Sequence, residues 1–168
     1  MHTSVPVTAD AKGMRVGVAT SRYHHDVTAR LLDGARSSFA NAGGDEANLV
    51  LVDAPGAFEL IAIAHALALR SDIDAVVGLG CVLTGETTHD RYLCEGVAHG
   101  FAAITSQTGK PVAFGVLTCA TLEQAAARSG GVTGAASRGN KGSEAMLAAV
   151  VAANAIARVA RLPLGRPA

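Results

Sequence analysis

From Asp74 to Leu83 the sequence reads DAVVGLGCVL, with no polar alternation and no charge after its first residue. A strand with one wet face alternates apolar and polar side chains. A strand apolar throughout is covered on both faces, which is the situation inside a parallel sheet flanked by helices. PVAFGVLT (111–118) has the same character, and RVGVAT (15–20) and NLVLVD (48–53) are shorter valine-rich runs of strand type. Between and after these four runs lie segments 26–42, 57–70, 90–108, 121–128 and 141–161, each long enough for a helix. Strands that alternate with helices predict an α/β protein with a parallel sheet. In the last segment Met146, Ala149, Val150, Ala153, Ile156, Ala157 and Ala160 recur at helical spacing. Leu147 and Val151 fall off that stripe, so this helix either buries a second face against another subunit or simply carries well-covered core positions.

At 168 residues the chain is long enough for one core, and one domain is expected over 14–161, followed by a tail, 162–168. Apolar residues make up 49% and charged residues 17%, and 14 basic side chains balance 14 acidic ones. Such a balance supplies no bulk field for nucleic acid or an anionic membrane. Sparse charge on a small apolar chain instead predicts a homo-oligomer that buries part of its surface between subunits. No membrane span is expected, because Asn154 and Arg158 interrupt the alanine-rich tail. The N-terminus also lacks a basic region followed by an apolar one, and the expected location is cytoplasmic. Cys81, Cys94 and Cys119 are odd in number and lack paired spacing, so they read as buried apolar residues in a reducing compartment. Residues 1–13, MHTSVPVTADAKG, suit a flexible arm or a segment that orders only against a neighbouring subunit. The glycine-rich stretch SGGVTGAASRGN, 129–140, is expected to be a loop.

In open α/β sheets ligands bind beyond the carboxyl ends of the strands, and all four ends here carry unusual residues. SRYHH follows the first strand; Tyr23 either stacks on a planar ring or covers the sheet edge. PGAFE follows the second. Its Ala57 and Phe58 leave room for a flat ligand and Glu59 offers acceptors, while the plainer reading is an apolar anchor with an acid in the first helical turn. After the third strand, TGETTH sets a glycine turn and hydroxyl residues at a helix start. Free N–H groups and the helix dipole there suit a phosphate, although ordinary capping by Thr87 or Thr88 explains the same pattern. His89 beside that position can exchange protons near neutral pH. GNKG, 139–142, reads as a turn with Asn140 as cap and Lys141 within reach of an anion. Arg128 either binds phosphate in bidentate fashion or complements a helix C-terminus. The Walker-type phosphate loop and the dinucleotide fingerprint are both missing, which disfavours nucleoside triphosphates and nicotinamide cofactors. His2, His24, His25, His65 and His99 show no metal-ligand spacing, and no metal is expected.

Taken in order over roughly 14–160, SRYH, PGAFE, GCVLTGETTH, PVAFGVLT, ARSG and GNKG resemble the lumazine synthase family of riboflavin biosynthesis. The resemblance implies a flavodoxin-like three-layer α/β/α sandwich around a four-stranded parallel sheet. It implies a transferase that condenses 5-amino-6-ribitylaminouracil with 3,4-dihydroxy-2-butanone 4-phosphate to 6,7-dimethyl-8-ribityllumazine, without metal or organic cofactor. By position, Tyr23 matches the residue that stacks on the pyrimidine, and Ala57, Phe58 and Glu59 match the segment that holds the ribityl chain. Cys81, Val82 and Leu83 match the pocket wall, and Glu86 and Thr87 the turn that holds the butanone phosphate. His89 matches the proton-transfer residue, Phe114 the residue that closes the pocket from a neighbouring subunit, and Arg128 the phosphate-binding arginine. Lys141 matches a lysine near the substrates. Thr84 stands where many members have arginine, and GGVTGAAS lengthens the connection from Arg128 to GNKG, which offers Arg138 as an alternative phosphate ligand. Within the family a longer connection accompanies pentamers or pairs of pentamers, a short one capsids of sixty subunits, so the resemblance implies a pentamer with a decamer or a capsid as the alternatives. Two other readings use the same pocket: a riboflavin synthase of the archaeal type, and a non-catalytic flavin or lumazine binder. His89 together with Arg128 argues against the binder, which needs neither a proton shuttle nor a phosphate anchor.

Overall fold

The computed structural model describes residues 8–163. Its four strands, β1 (Val16–Ser21), β2 (Leu49–Ala54), β3 (Ala75–Leu83) and β4 (Val112–Cys119), lie where the valine-rich runs predict them. They form one parallel sheet in the order β2-β1-β3-β4. Helices α1 (His25–Asn41), α2 (Leu60–Ala68), α3 (His89–Thr108), α4 (Leu122–Arg128) and α5 (Lys141–Ala160) connect or follow them. This is the three-layer α/β architecture of the flavodoxin-like class.

β3 explains why the sheet is covered twice. In register it pairs Val77 with Val18 of β1 and Ala113 of β4. Val77, Leu79 and Cys81 point to one face, where they join Val18, Leu31 and Phe39 of the first strand and α1 with Met146 and Val150 of α5. Val76 and Val82 point to the other, among Leu60 and Leu67 of α2 and Phe101 and Ile104 of α3. A side chain at Gly78 would collide with the Phe101 ring, so this strand gives up a residue's worth of packing to bring α3 close.

The N-terminus of α5 is fixed by Asn140. Its Oδ1 accepts from Gly142 and Ser143 N–H, and its Nδ2 donates to the carbonyls of Arg30 (2.8 Å) and Ser129 (2.9 Å). Gly142 lets the backbones touch, since a Cβ there would run into the Leu31 carbonyl. The cap expected at Asn140 therefore also rivets α5 to α1.

Three expectations change. α2 begins at Leu60 rather than 57, so Ala57, Phe58 and Glu59 stay in the turn, with Glu59 at the cap position instead of inside the first helical turn. α5 is, by length and composition, apolar enough to cross a membrane despite Asn154 and Arg158. Its first half is nevertheless built into the core through Gly142, Ala145, Met146, Ala149 and Val150, whereas Ile156 and Val159 near its end are exposed. Of the arm expected over 1–13, residues 1–7 lie outside the described residues, as do 164–168 of the tail. From Thr8 the chain follows the domain. Ala11 is buried with its N–H donating to Ala42 O at 2.8 Å, and Asn154 Nδ2 donates to the carbonyls of Thr8 and Asp10.

Candidate functional site

The strand order turns back between β1 and β3, and a crevice opens there beyond their carboxyl ends, as expected of such a sheet. It holds a cavity of about 490 Å³. The segment after β1 supplies Tyr23 and His24, the turn after β2 supplies Gly56, Ala57, Phe58 and Glu59, and the end of β3 supplies Cys81, Val82 and Leu83. Thr84, Gly85, His89 and Leu93 complete the wall. Eight of the residues singled out from sequence thus converge on one crevice from three strand ends: Tyr23, Ala57, Phe58, Glu59, Cys81, Val82, Leu83 and His89.

One corner of the crevice is formed by the start of α3, whose backbone N–H groups and dipole suit an anion. The N-terminus of α3 carries no side-chain cap: Thr88 occupies the cap position but makes no capping hydrogen bond. The capping expected of Thr87 or Thr88 is therefore not what these hydroxyls do. Thr87 Oγ1 instead lies 2.6 Å from His89 Nδ1. Whichever of the two atoms donates, the contact orients the imidazole and leaves Nε2 for proton exchange. Glu86 and Thr87 are exposed on the turn, just outside the cavity lining.

Cys81 forms part of the floor. Burial, with the neighbouring thiols of Cys119 and Cys94 adding to it, pushes its thiol up to about 11, so it is a neutral, apolar wall. Cys119 is raised by burial too, with Arg128 partly opposing the shift.

The remaining singled-out residues lie elsewhere. Phe114, Arg128 and Lys141 line a second cavity of about 450 Å³ at the edge strand β4, along with Thr118 and Glu144. Phe114 is exposed there and meets Phe101 edge-on, with centroids 6.0 Å apart. Arg128 Nη1 donates to Gln124 O, and Lys141 Nζ is paired with Glu144 at 2.7 Å. Arg138 turns its guanidinium onto its own loop, where Nη1 donates to the carbonyls of Ala135 and Ser137. Among the described residues no three His, Cys, Asp or Glu side chains gather as a metal site.

The crevice also includes residues not picked out as lining it: His24, Gly56, Thr84, Gly85 and Leu93. Leu93 follows His89 by one helical turn, and that spacing puts both on one face of α3. His24 gave a weaker signal. It adopts left-handed backbone angles, φ 55° and ψ 50°, at the cap of α1. That conformation costs an ordinary residue about 1–2 kcal/mol, and it cannot be read from SRYHH.

The family model described as 6,7-dimethyl-8-ribityllumazine synthase matches residues 13–157. Curated relatives carry the same name. One from Thermus thermophilus is 45% identical over 140 residues, 83% of this chain and 86% of the relative. One from Aquifex aeolicus is 40% identical over 144 residues, 86% of this chain and 90% of the relative.

Proposed function

The chain belongs to the 6,7-dimethyl-8-ribityllumazine synthase family, and from that premise we propose that its two cavities are complementary halves of one active site, joined where one copy meets the next. The protein is a transferase of riboflavin biosynthesis. It condenses 5-amino-6-ribitylaminouracil with 3,4-dihydroxy-2-butanone 4-phosphate to 6,7-dimethyl-8-ribityllumazine, with release of phosphate and water. The observation that carries the two-half reading is the division of the site residues: Tyr23 and His89 in one cavity, Phe114 and Arg128 in another.

In this reading the pyrimidine stacks on Tyr23 against the wall of Cys81, Val82 and Leu83, and the ribityl chain runs along Ala57, Phe58 and Glu59. The butanone phosphate sits at the uncapped start of α3, on the turn of Gly85, Glu86 and Thr87. Arg128 of a neighbouring copy completes its charge, and Phe114 of that copy closes the ring pocket. Lys141 approaches the substrates from the same side, its charge shared with Glu144. Arg128 is favoured over Arg138 because it lines the same cavity as Phe114 and Lys141, and Arg138 does not.

The ring amine attacks the ketone, water leaves to give an imine, phosphate is eliminated, and the second amine closes the ring with loss of water. Each step moves a proton. His89, held by Thr87, carries it between the amine and the departing oxygens. Because an amine and a ketone react without help, positioning the two substrates together supplies most of the acceleration.

The assembly is a pentamer of a soluble, cytoplasmic enzyme. Support for a subunit contact comes from an apolar groove of about 480 Å³ between α2 and α3, walled by Phe58, Ile61, Ala103 and Ile104. Light scattering at the mass of five chains agrees with this, and a particle of about a megadalton contradicts it. The chemistry is tested by mixing the protein with both substrates and following the lumazine chromophore. Appearance of the chromophore supports the reading, whereas riboflavin formed from lumazine alone points to a riboflavin synthase.

A further inference from the structure

Among the described residues His24 is the one non-glycine residue with positive φ. Glycine adopts this conformation without cost, and asparagine, aspartate and histidine do so more readily than other side chains; of these the chain places an imidazole at the rim of the crevice. The consequence is geometric. With the backbone turned this way between β1 and α1, the His24 ring meets the Tyr23 ring at a centroid distance of 4.8 Å and an interplanar angle of 80°. That is the perpendicular arrangement aromatic pairs prefer.

Tyr23 needs such a neighbour. Its backbone is tied down, because its N–H donates at 3.2 Å to Oγ of the buried Ser21. In the single chain, however, the residue is 67% exposed. An exposed aromatic ring samples several rotamers, and stacking a planar ligand on it requires that freedom to be given up on binding.

We infer that His24 is a positioning residue, whose left-handed backbone and perpendicular imidazole hold the Tyr23 ring in one plane at the mouth of the crevice before the pyrimidine substrate arrives. The inference rests on the assignment of Tyr23 as the stacking platform. His24 touches the platform and not the reacting atoms, so its contribution is to binding of one substrate. Losing it raises KM for the aminouracil and leaves kcat and the KM of the butanone phosphate in place.

His24→Gly and His24→Asn both keep the left-handed turn accessible while removing the ring, so they separate the imidazole from the backbone it sits on. Steady-state kinetics of both variants, run beside Tyr23→Ala, test the idea. The expected result is a KM for 5-amino-6-ribitylaminouracil about two- to tenfold higher in both His24 variants. The other two constants stay within about twofold of the parent enzyme. A KM for the aminouracil that stays at the parent value in both variants overturns the inference. So does an equal rise for both substrates, which marks a general distortion. If Tyr23→Ala raises that KM while the His24 variants do not, only the role of His24 falls. If Tyr23→Ala also leaves it unchanged, the stacking assignment itself falls.

Discussion

Three threonines at helix starts show how one residue type is used in different ways. Thr121 caps α4 by accepting from Gln124 N–H, whereas Thr88 makes no such bond at α3 and the Thr87 hydroxyl is paired with His89 Nδ1. The start of α3 thereby keeps donors for an anion and gains an oriented imidazole. On this reading His89→Ala lowers kcat by about a hundredfold without abolishing turnover, since orientation of the substrates survives. Arg128→Ala, by contrast, raises KM for the butanone phosphate about ten- to hundredfold, the usual cost of losing charge-assisted hydrogen bonds. Unchanged steady-state constants in both variants remove the assignment. Cys81 makes a different prediction. Its pKa is raised to about 11 by folding, so the folded protein holds this proton more tightly than the unfolded chain does. The resulting stability is fully present below the ordinary thiol pKa of about 8.5 and is lost as pH rises through about 11. Urea unfolding at about pH 8 and about pH 10.5 will show a smaller loss in Cys81→Ala than in the parent protein, and equal losses would contradict the buried neutral thiol.

At the level of elements, the valine-rich runs placed the strands within a residue of where they lie, because a run as apolar as β3 has to be a strand covered on both faces and is bounded by polar or turn residues at its ends. Helix ends were less legible. α2 starts late because Ala57, Phe58 and Glu59 form a turn over the crevice, a tertiary preference that composition does not record. For α5 the residues that matter most are at its start. Asn140 caps two N–H groups and reaches two carbonyls of other segments, so its loss removes a cap and leaves partly buried acceptors unpaired. Asn140→Ala is expected to destabilise the protein by about 2–3 kcal/mol, read from urea unfolding, whereas Asn140→Ser restores the cap alone and recovers about 1 kcal/mol. A change below about 0.5 kcal/mol in Asn140→Ala would mean that the α1–α5 contact does not depend on this side chain.

For the whole molecule, the ordered motifs picked out the residues proposed for the site but not which of them share a cavity. That depends on strand order, and local pattern does not encode it: with β4 at the sheet edge, Phe114 and Arg128 face away from the crevice at the β1–β3 turning point. A site built from both groups has to be assembled between copies. The most direct test is complementation. One chain carries Tyr23→Ala with His89→Ala, spoiling the first half-site, and the other carries Phe114→Ala with Arg128→Ala, spoiling the second. Co-expressed and purified as mixed assemblies, they regenerate an intact site wherever the wild-type halves meet, at roughly a quarter of the contacts in a ring of randomly mixed subunits. Lumazine formation well above that of either double variant alone is the predicted result. Activity no greater than the average of the two would contradict a site shared between neighbours.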